Sequence, residues 1–225
     1  MLIANNWISE LPAAVREAMQ ARMTHAGFAA GTTIKRAGDT STAMYQVESG
    51  YVRLLTLHPD GREVLLLLYG PGNCWGESPM VARRGYNHTT IALTDVRVRV
   101  LAEREFWALY DEFREIPDAL CRKFANNTSR QFIVREIRAT RRLKQLIGMT
   151  FEILADDAGV VASDGSTAID LPLTQADFAD HLEVTRQAVQ REIGAMKHAR
   201  ILDQGRGGWV IRDRERLKNW TRSPA

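Results

Sequence analysis

Arg186, Gln187, Gln190 and Arg191 stand within six residues of one another, and all four side chains make directional hydrogen bonds. Presented from one exposed helix start, they match the edges of the DNA major groove, where arginine fits guanine and glutamine fits adenine. The spacing predicts such a helix: Val189, Ile193 and Met196 recur as its apolar face, and Thr185 offers an N-cap. A shorter helix precedes it. Thr174 stands at the N-cap with Asp177 three residues on, Phe178, Ala179 and Leu182 mark the buried side, and Glu183-Val184 make the turn. Leu173 to Leu202 therefore reads as a helix-turn-helix, in which Thr174, Gln175 and Thr185 lie near helix N-termini and would grip backbone phosphate. An αα-hairpin with a solvated polar face is the alternative reading of this segment alone.

The residues that follow favour the first reading. Two short β-prone runs, Arg200 to Leu202 and Trp209-Val210-Ile211, flank the turn Gln204-Gly205-Arg206-Gly207-Gly208 and predict a hairpin. A basic hairpin directly after a helix-turn-helix is the wing of a winged helix, with Arg206 at a tip that can touch phosphate. Asp213 then caps a last helix, in which Leu217 and Trp220 pack back on the domain.

With 225 residues, 45% of them hydrophobic, the chain has material for two cores. A formal net charge of +3 permits a polyanionic partner without demanding one. Basic residues are frequent after Arg122 whereas the first half also holds many acids, so the C-terminal half would carry the attraction to DNA. No apolar run approaches membrane-spanning length, and MLIANNWISELP lacks the basic and apolar regions of a signal peptide, which predicts a cytoplasmic protein. Cys74 and Cys121 are too few for a disulfide framework or a four-thiolate iron–sulfur cluster. Both are expected to be reduced and buried.

Upstream, Val15, Met19 and Met23 predict a helix over roughly Pro12 to Thr24. From Phe28 to about Leu101, β-prone runs alternate with turn signals at Ala30-Gly31, Gly38-Asp39, Ser49-Gly50, Pro59-Asp60-Gly61 and Gly70-Pro71-Gly72, predicting an antiparallel sandwich or barrel. Tyr45 to Leu57 and Val64 to Tyr69 read as a hairpin pair. From Pro117 to about Ala155 runs one long helical stretch. Its apolar stripe, Leu120 and Phe124, then Ile133, Ile137, Leu143, Ile147, Phe151 and Leu154, is interrupted by Asn126-Asn127-Thr128-Ser129. A two-fold coiled coil is its simplest partner, and packing within its own chain is the alternative. Asp156 to Pro172 reads as a flexible hinge with one strand, Ala168 to Leu171.

Capping helix, β-roll, long helix and winged helix, in that order, resemble the Crp/Fnr family of bacterial transcription regulators over nearly the whole chain. The most specific match runs from Leu171-Pro172-Leu173-Thr174-Gln175 through Arg191, and Gly38-Asp39, Gly50, Gly61, Gly70-Pro71-Gly72 and Gly76-Glu77 fall where the family's jelly-roll turns fall. The resemblance implies an α+β protein in four parts: an effector-sensing antiparallel β-roll over 1–115, a dimerisation helix over 116–155, a hinge over 156–172 and a winged helix-turn-helix DNA-binding domain over 173–225. It further implies a homodimer through 116–155 on a palindromic double-stranded operator, RNA polymerase as a further partner, and a small-molecule effector between β-roll and long helices.

In family members that bind cyclic AMP, a Gly-Glu segment holds phosphate and ribose, and a later Arg-Ser or Arg-Thr pair grips the phosphate. Gly76-Glu77-Ser78 matches the first part, but Tyr86-Asn87-His88-Thr89 stands where the second belongs, without an arginine. A buried phosphate lacking its cation forfeits a charge-assisted contact, although Arg83 or Arg84 could swing in from the preceding loop. The expected effector is therefore not cyclic AMP. Trp75 and Tyr86 suit an aromatic or largely apolar molecule, or else simply fill the barrel. Asn127 and Thr128 would read the effector from the long helices, and setting dimer register is an equally good role for them. Gln187 stands where the cyclic-AMP subgroup has glutamate, so the central base of the half-site is expected to differ.

Other chemistries find less support. The N-terminus lacks the cysteine cluster of the family's oxygen sensors, and His25, His58 and His88 form no recognisable haem spacing. A cupin-like metal-dependent enzyme with an accessory DNA-binding domain is the alternative, but it wants a His-x-His pair that the chain lacks. The expectation is a regulator without catalysis, metal or iron–sulfur cluster.

Overall fold

The computed structural model describes residues 6–58, 61, 63–205 and 207–222, apart from the side chains of Ile133 and Val134. A short 3-10 helix, Ile8–Glu10, leads into α1 (Ala13–Ala21), which stops before the expected end because Thr24 already opens β1 (Thr24–Phe28). There follow β2 (Thr33–Lys35), β3 (Ala43–Ser49), β4 (Val52–Leu57), β5 (Glu63–Tyr69), β6 (Cys74–Trp75), α2 (Glu77–Val81), β7 (Thr89–Ala92) and β8 (Val96–Ala102). These strands sort into two four-stranded sheets, β1-β8-β3-β6 and β2-β7-β4-β5, with antiparallel pairing throughout. That is the expected β-roll. Tyr45, Val47, Val52, Tyr69, Trp75, Tyr86, Val96 and Val98 share one core, while Trp7, Val15 and Met19 join Met44, Leu101, Phe106 and Leu109 in another.

The run from Tyr45 to Leu57 is not one hairpin arm. Gly50, at φ +80°, turns the chain, so β3 joins one sheet and only β4 and β5 pair as the hairpin, with Pro59 and Asp60 outside the described residues.

Next come α3 (Glu103–Glu112), α4 (Glu115–Thr140) and α5 (Leu143–Ala158), so the long stretch expected to be continuous is divided at Arg141-Arg142. There Arg142 is extended, at ψ 157°, and its N–H donates to the Gln145 side chain at 3.1 Å, which starts a new helix. No glycine or proline marks the break. Ile116, Ala119 and Leu120 bury one side of α4, while the side chain of Ile133 in the expected stripe lies outside the described residues. Cys74 is buried as expected, but Cys121 is exposed on α4 because it stands one position off that apolar stripe. Two compact units divide within α4, between Arg130 and Gln131.

The second unit holds β9 (Gly159–Val161), β10 (Thr167–Ile169), α6 (Gln175–Leu182), α7 (Arg186–His198), β11 (Leu202–Gln204), β12 (Trp209–Ile211) and α8 (Arg214–Arg222). Its sheet runs β11-β12-β10-β9. The segment expected as a flexible hinge is therefore largely structured, since β10 pairs with both β9 and β12. Phe151 of α5 stacks on Phe178 of α6 at 4.9 Å, and both meet Trp209 edge-on. The Trp209 indole N–H donates to the Leu173 carbonyl at 2.9 Å, so the ring fills the core without stranding its polar atom. Gly148 lets α8 close on α5, for a Cβ there would meet Thr221 Oγ1 at 2.5 Å.

Candidate nucleic-acid interface and effector site

Local chemistry builds the helix pair as the spacing predicts. The Thr174 hydroxyl accepts from the Asp177 N–H at 3.2 Å, and the Asp177 carboxylate accepts from the Thr174 N–H at 2.7 Å, closing a reciprocal cap at the start of α6. Glu183, in the left-handed region at φ 59°, ends that helix, and the Thr185 hydroxyl accepts from the Ala188 N–H at 3.2 Å to open α7. Val189, Ile193 and Met196 are buried. Arg186, Gln187, Gln190 and Arg191 are left exposed on α7, Thr174 and Thr185 are exposed at the caps, and Gln175 is half-buried. Arg191 contacts Glu192 at 3.3 Å with three-quarters of its own side chain in solvent, so it is cheaply released to another partner.

Behind α7, Lys197 donates to Gln204 at 3.3 Å and lies over the Trp209 ring, tying the end of the helix to the wing strands. Arg206 lies outside the described residues. Asp213 accepts from the Arg216 N–H at 2.9 Å and caps α8, where Leu217 is buried and Trp220 meets the Lys144 ammonium 4.3 Å from its ring centre. At the turn, Arg138 of α4 donates to the Glu183 carboxylate at 2.5 Å and to the His181 carbonyl. Burial, reinforced by the Arg138 cation, pushes the His181 imidazole down to about 3, which keeps it neutral. Neither contact has a sequence signal, since the partners are separated by more than 40 residues.

In the β-roll, Trp75, Gly76, Glu77 and Tyr86 come together. Gly76 has φ +98°, and a Cβ on it would meet the Ala43 carbonyl at 2.4 Å and the Tyr86 hydroxyl at 2.9 Å, so only glycine fits. Tyr86 donates to Ala43 O at 3.2 Å, and Trp75 stacks between Tyr45 and Tyr69, with ring centres 4.9 Å and 5.4 Å away. Burial pushes the Tyr86 phenol and the Cys74 thiol up to about 12, leaving both protonated. Ser78 and Asn87 are exposed, as is Thr128, whose hydroxyl donates to the Phe124 carbonyl at 3.0 Å, while Asn127 is half-buried.

Glu77 is buried and its carboxylate pairs with the ammonium of Lys123, itself buried on α4. Sequence reasoning missed Lys123. A signal existed: Ile116, Ala119, Leu120 and Lys123 follow the i, i+3, i+4, i+7 pattern of one helix face, so a cation interrupts an apolar stripe and must find a buried partner. Arg83 and Arg84 are exposed. Among the described residues no group of three or more His, Cys, Asp or Glu side chains could hold a metal ion, and no helix is long and apolar enough to cross a membrane.

The two halves match two family models, a cyclic nucleotide-binding domain over residues 27–113 and a Crp-like helix-turn-helix domain over 138–220. Together with the fold, that pairing defines a DNA-binding transcription regulator. The nitrogen fixation regulation protein FixK of Bradyrhizobium diazoefficiens is 24% identical over 85% of this chain and 79% of its own. A CRP-like cAMP-activated global transcriptional regulator of Mycobacterium tuberculosis is 24% identical over 84% of each chain. Among solved structures, FixK2 from Bradyrhizobium japonicum superposes with a TM-score of 0.74 at 21% identity, covering 90% of this chain and 99% of that one. A Crp/Fnr regulator from Thermus thermophilus gives 0.72 at 23%, over 90% and 100%. The chain belongs to the Crp/Fnr family of transcription regulators, which are not enzymes.

Proposed function

We propose that the protein is a homodimeric, sequence-specific regulator that binds an inverted-repeat operator and responds to a small molecule other than cyclic AMP. The observation that carries this reading is the exposed set Arg186, Gln187, Gln190 and Arg191 at the start of α7, held from behind by buried Val189, Ile193 and Met196. Arg191 reads guanine, Gln187 prefers adenine, and Arg186 takes a second base or a phosphate. Thr174, Gln175 and Thr185, with Arg206 of the wing, position the duplex through its backbone. Residues 116–155 supply the dimer axis, and Phe132, 68% exposed on α4, supports an apolar face that wants covering there. RNA polymerase completes the set of partners, in the cytoplasm where the operator lies.

The proposed effector set is Trp75, Gly76, Glu77, Ser78, Tyr86 and Asn87 of the β-roll with Asn127 and Thr128 of α4. The Mycobacterium relative is cAMP-activated by its name. Here the Glu77 carboxylate is already engaged by Lys123, and no arginine stands in the segment Tyr86 to Thr89, which supports a different effector. Whatever binds must prefer one arrangement of the winged helices over the other in order to switch them. Thermal-shift titration with cyclic AMP is expected to leave the melting temperature unchanged, and a large upward shift would overturn that choice. For the DNA reading, Arg191→Ala should cost about 1 to 3 kcal/mol on the preferred site and relax one base. Equal loss on every sequence would make Arg191 a phosphate contact instead.

A further inference from the structure

From Arg130 to Lys144 the chain carries six basic residues, Arg130, Arg135, Arg138, Arg141, Arg142 and Lys144, against one acid, Glu136. Arg138 is committed to the turn through Glu183 and the His181 carbonyl. That contact places the end of α4 beside the residues that lead into Thr185 and α7. Arg141 lies one helical turn further along, its N–H still bonded to the Ile137 carbonyl at 2.8 Å, so it follows Arg138 on the same face. Arg142 comes next at the break before α5, and both Arg141 and Arg142 are exposed. Among the described residues neither guanidinium has an acidic partner within ion-pair distance, whereas Arg138 and Arg214 of the same unit do.

We infer that Arg141 and Arg142 are a second DNA contact, gripping backbone phosphates beside the groove that α7 enters, an inference that rests on the DNA-binding reading above. The major groove is about 12 Å wide and edged by phosphates, so seating the start of α7 in it brings the flanking surface against a phosphate ridge. A pair of exposed arginines there gains a charge-assisted partner on a polyanion. Two such contacts per protomer make four per dimer. Each neutralised phosphate contributes about 0.9 to the slope of log K against log salt, so four contribute about 3.6.

The test is DNA binding by the full chain at several salt concentrations, comparing wild type with R141Q/R142Q and R141K/R142K, with base preferences scored in parallel. The glutamine pair is expected to flatten the salt slope by about 3.6 while leaving base preferences as they are, and the lysine pair to keep most of the slope. A slope unchanged in R141Q/R142Q, or a changed base preference, would overturn the inference. A wild-type chain that binds no duplex at any salt would sink the DNA reading, and this contact with it.

Discussion

Glu77 and Lys123 show how much a single residue identity decides. Each is buried, and neither charge has water to fall back on once its partner is gone. Lys123→Met is expected to destabilise the chain by about 3 to 5 kcal/mol, because it leaves the Glu77 carboxylate buried and alone, while Glu77→Gln with Lys123→Met should recover most of the loss. Urea unfolding of both variants measures this, and a Lys123→Met chain as stable as wild type would show that water reaches the pair. At this scale the exposed polar face of α7, proposed above to meet DNA, was legible because it is local: Arg186, Gln187, Gln190 and Arg191 are the polar remainder of a helix whose buried side repeats regularly. Glu77 was legible only as half of its contact. Its cation comes from 46 residues away, and spacing along a chain carries no such distance.

Among the elements, α6 and α7 match the sequence reading at their caps, since Thr174, Asp177 and Thr185 act within one turn of themselves. The break between α4 and α5 was not legible. Arg141 and Arg142 are ordinary helix formers, and the extended backbone at Arg142 is settled by the Gln145 side chain and by the packing of α5 on α6, α7 and α8. Of the two short strands after α5, β10 overlaps the run Ala168 to Leu171 that reads as a strand, whereas β9 was hidden because it is three residues long, and the pairing of β10 with β12 of the wing spans too much sequence to be read from spacing. Burial in α6 also gives this unit a pH dependence. His181 titrates at about 3 when folded against an ordinary 6.5, so as pH falls through that window the unfolded chain takes a proton that the folded one refuses. Stability present above pH 6.5 is therefore lost progressively toward pH 3. Melting curves at about pH 7 and about pH 5 should show a smaller loss for His181→Gln than for wild type, and equal losses would place the titration elsewhere.

For the whole molecule, the order of β-roll, long helix and winged helix was readable because the pattern changes along the chain, from a period of about two in the strands to about 3.6 in the helices, with caps and turn residues dividing the helical half. What binds in the β-roll is less legible, for the same aromatic side chains that would cradle a ligand also fill the core around Trp75. The output end carries the central claim: a two-fold dimer presents α7 twice to one face of a duplex. Selection of binding sites from random DNA tests it most directly. The expected result is an inverted repeat whose half-site centres lie about 34 Å apart, one turn of the helix, with the central base of each half-site set by Gln187. Recovery of asymmetric single sites alone would contradict it.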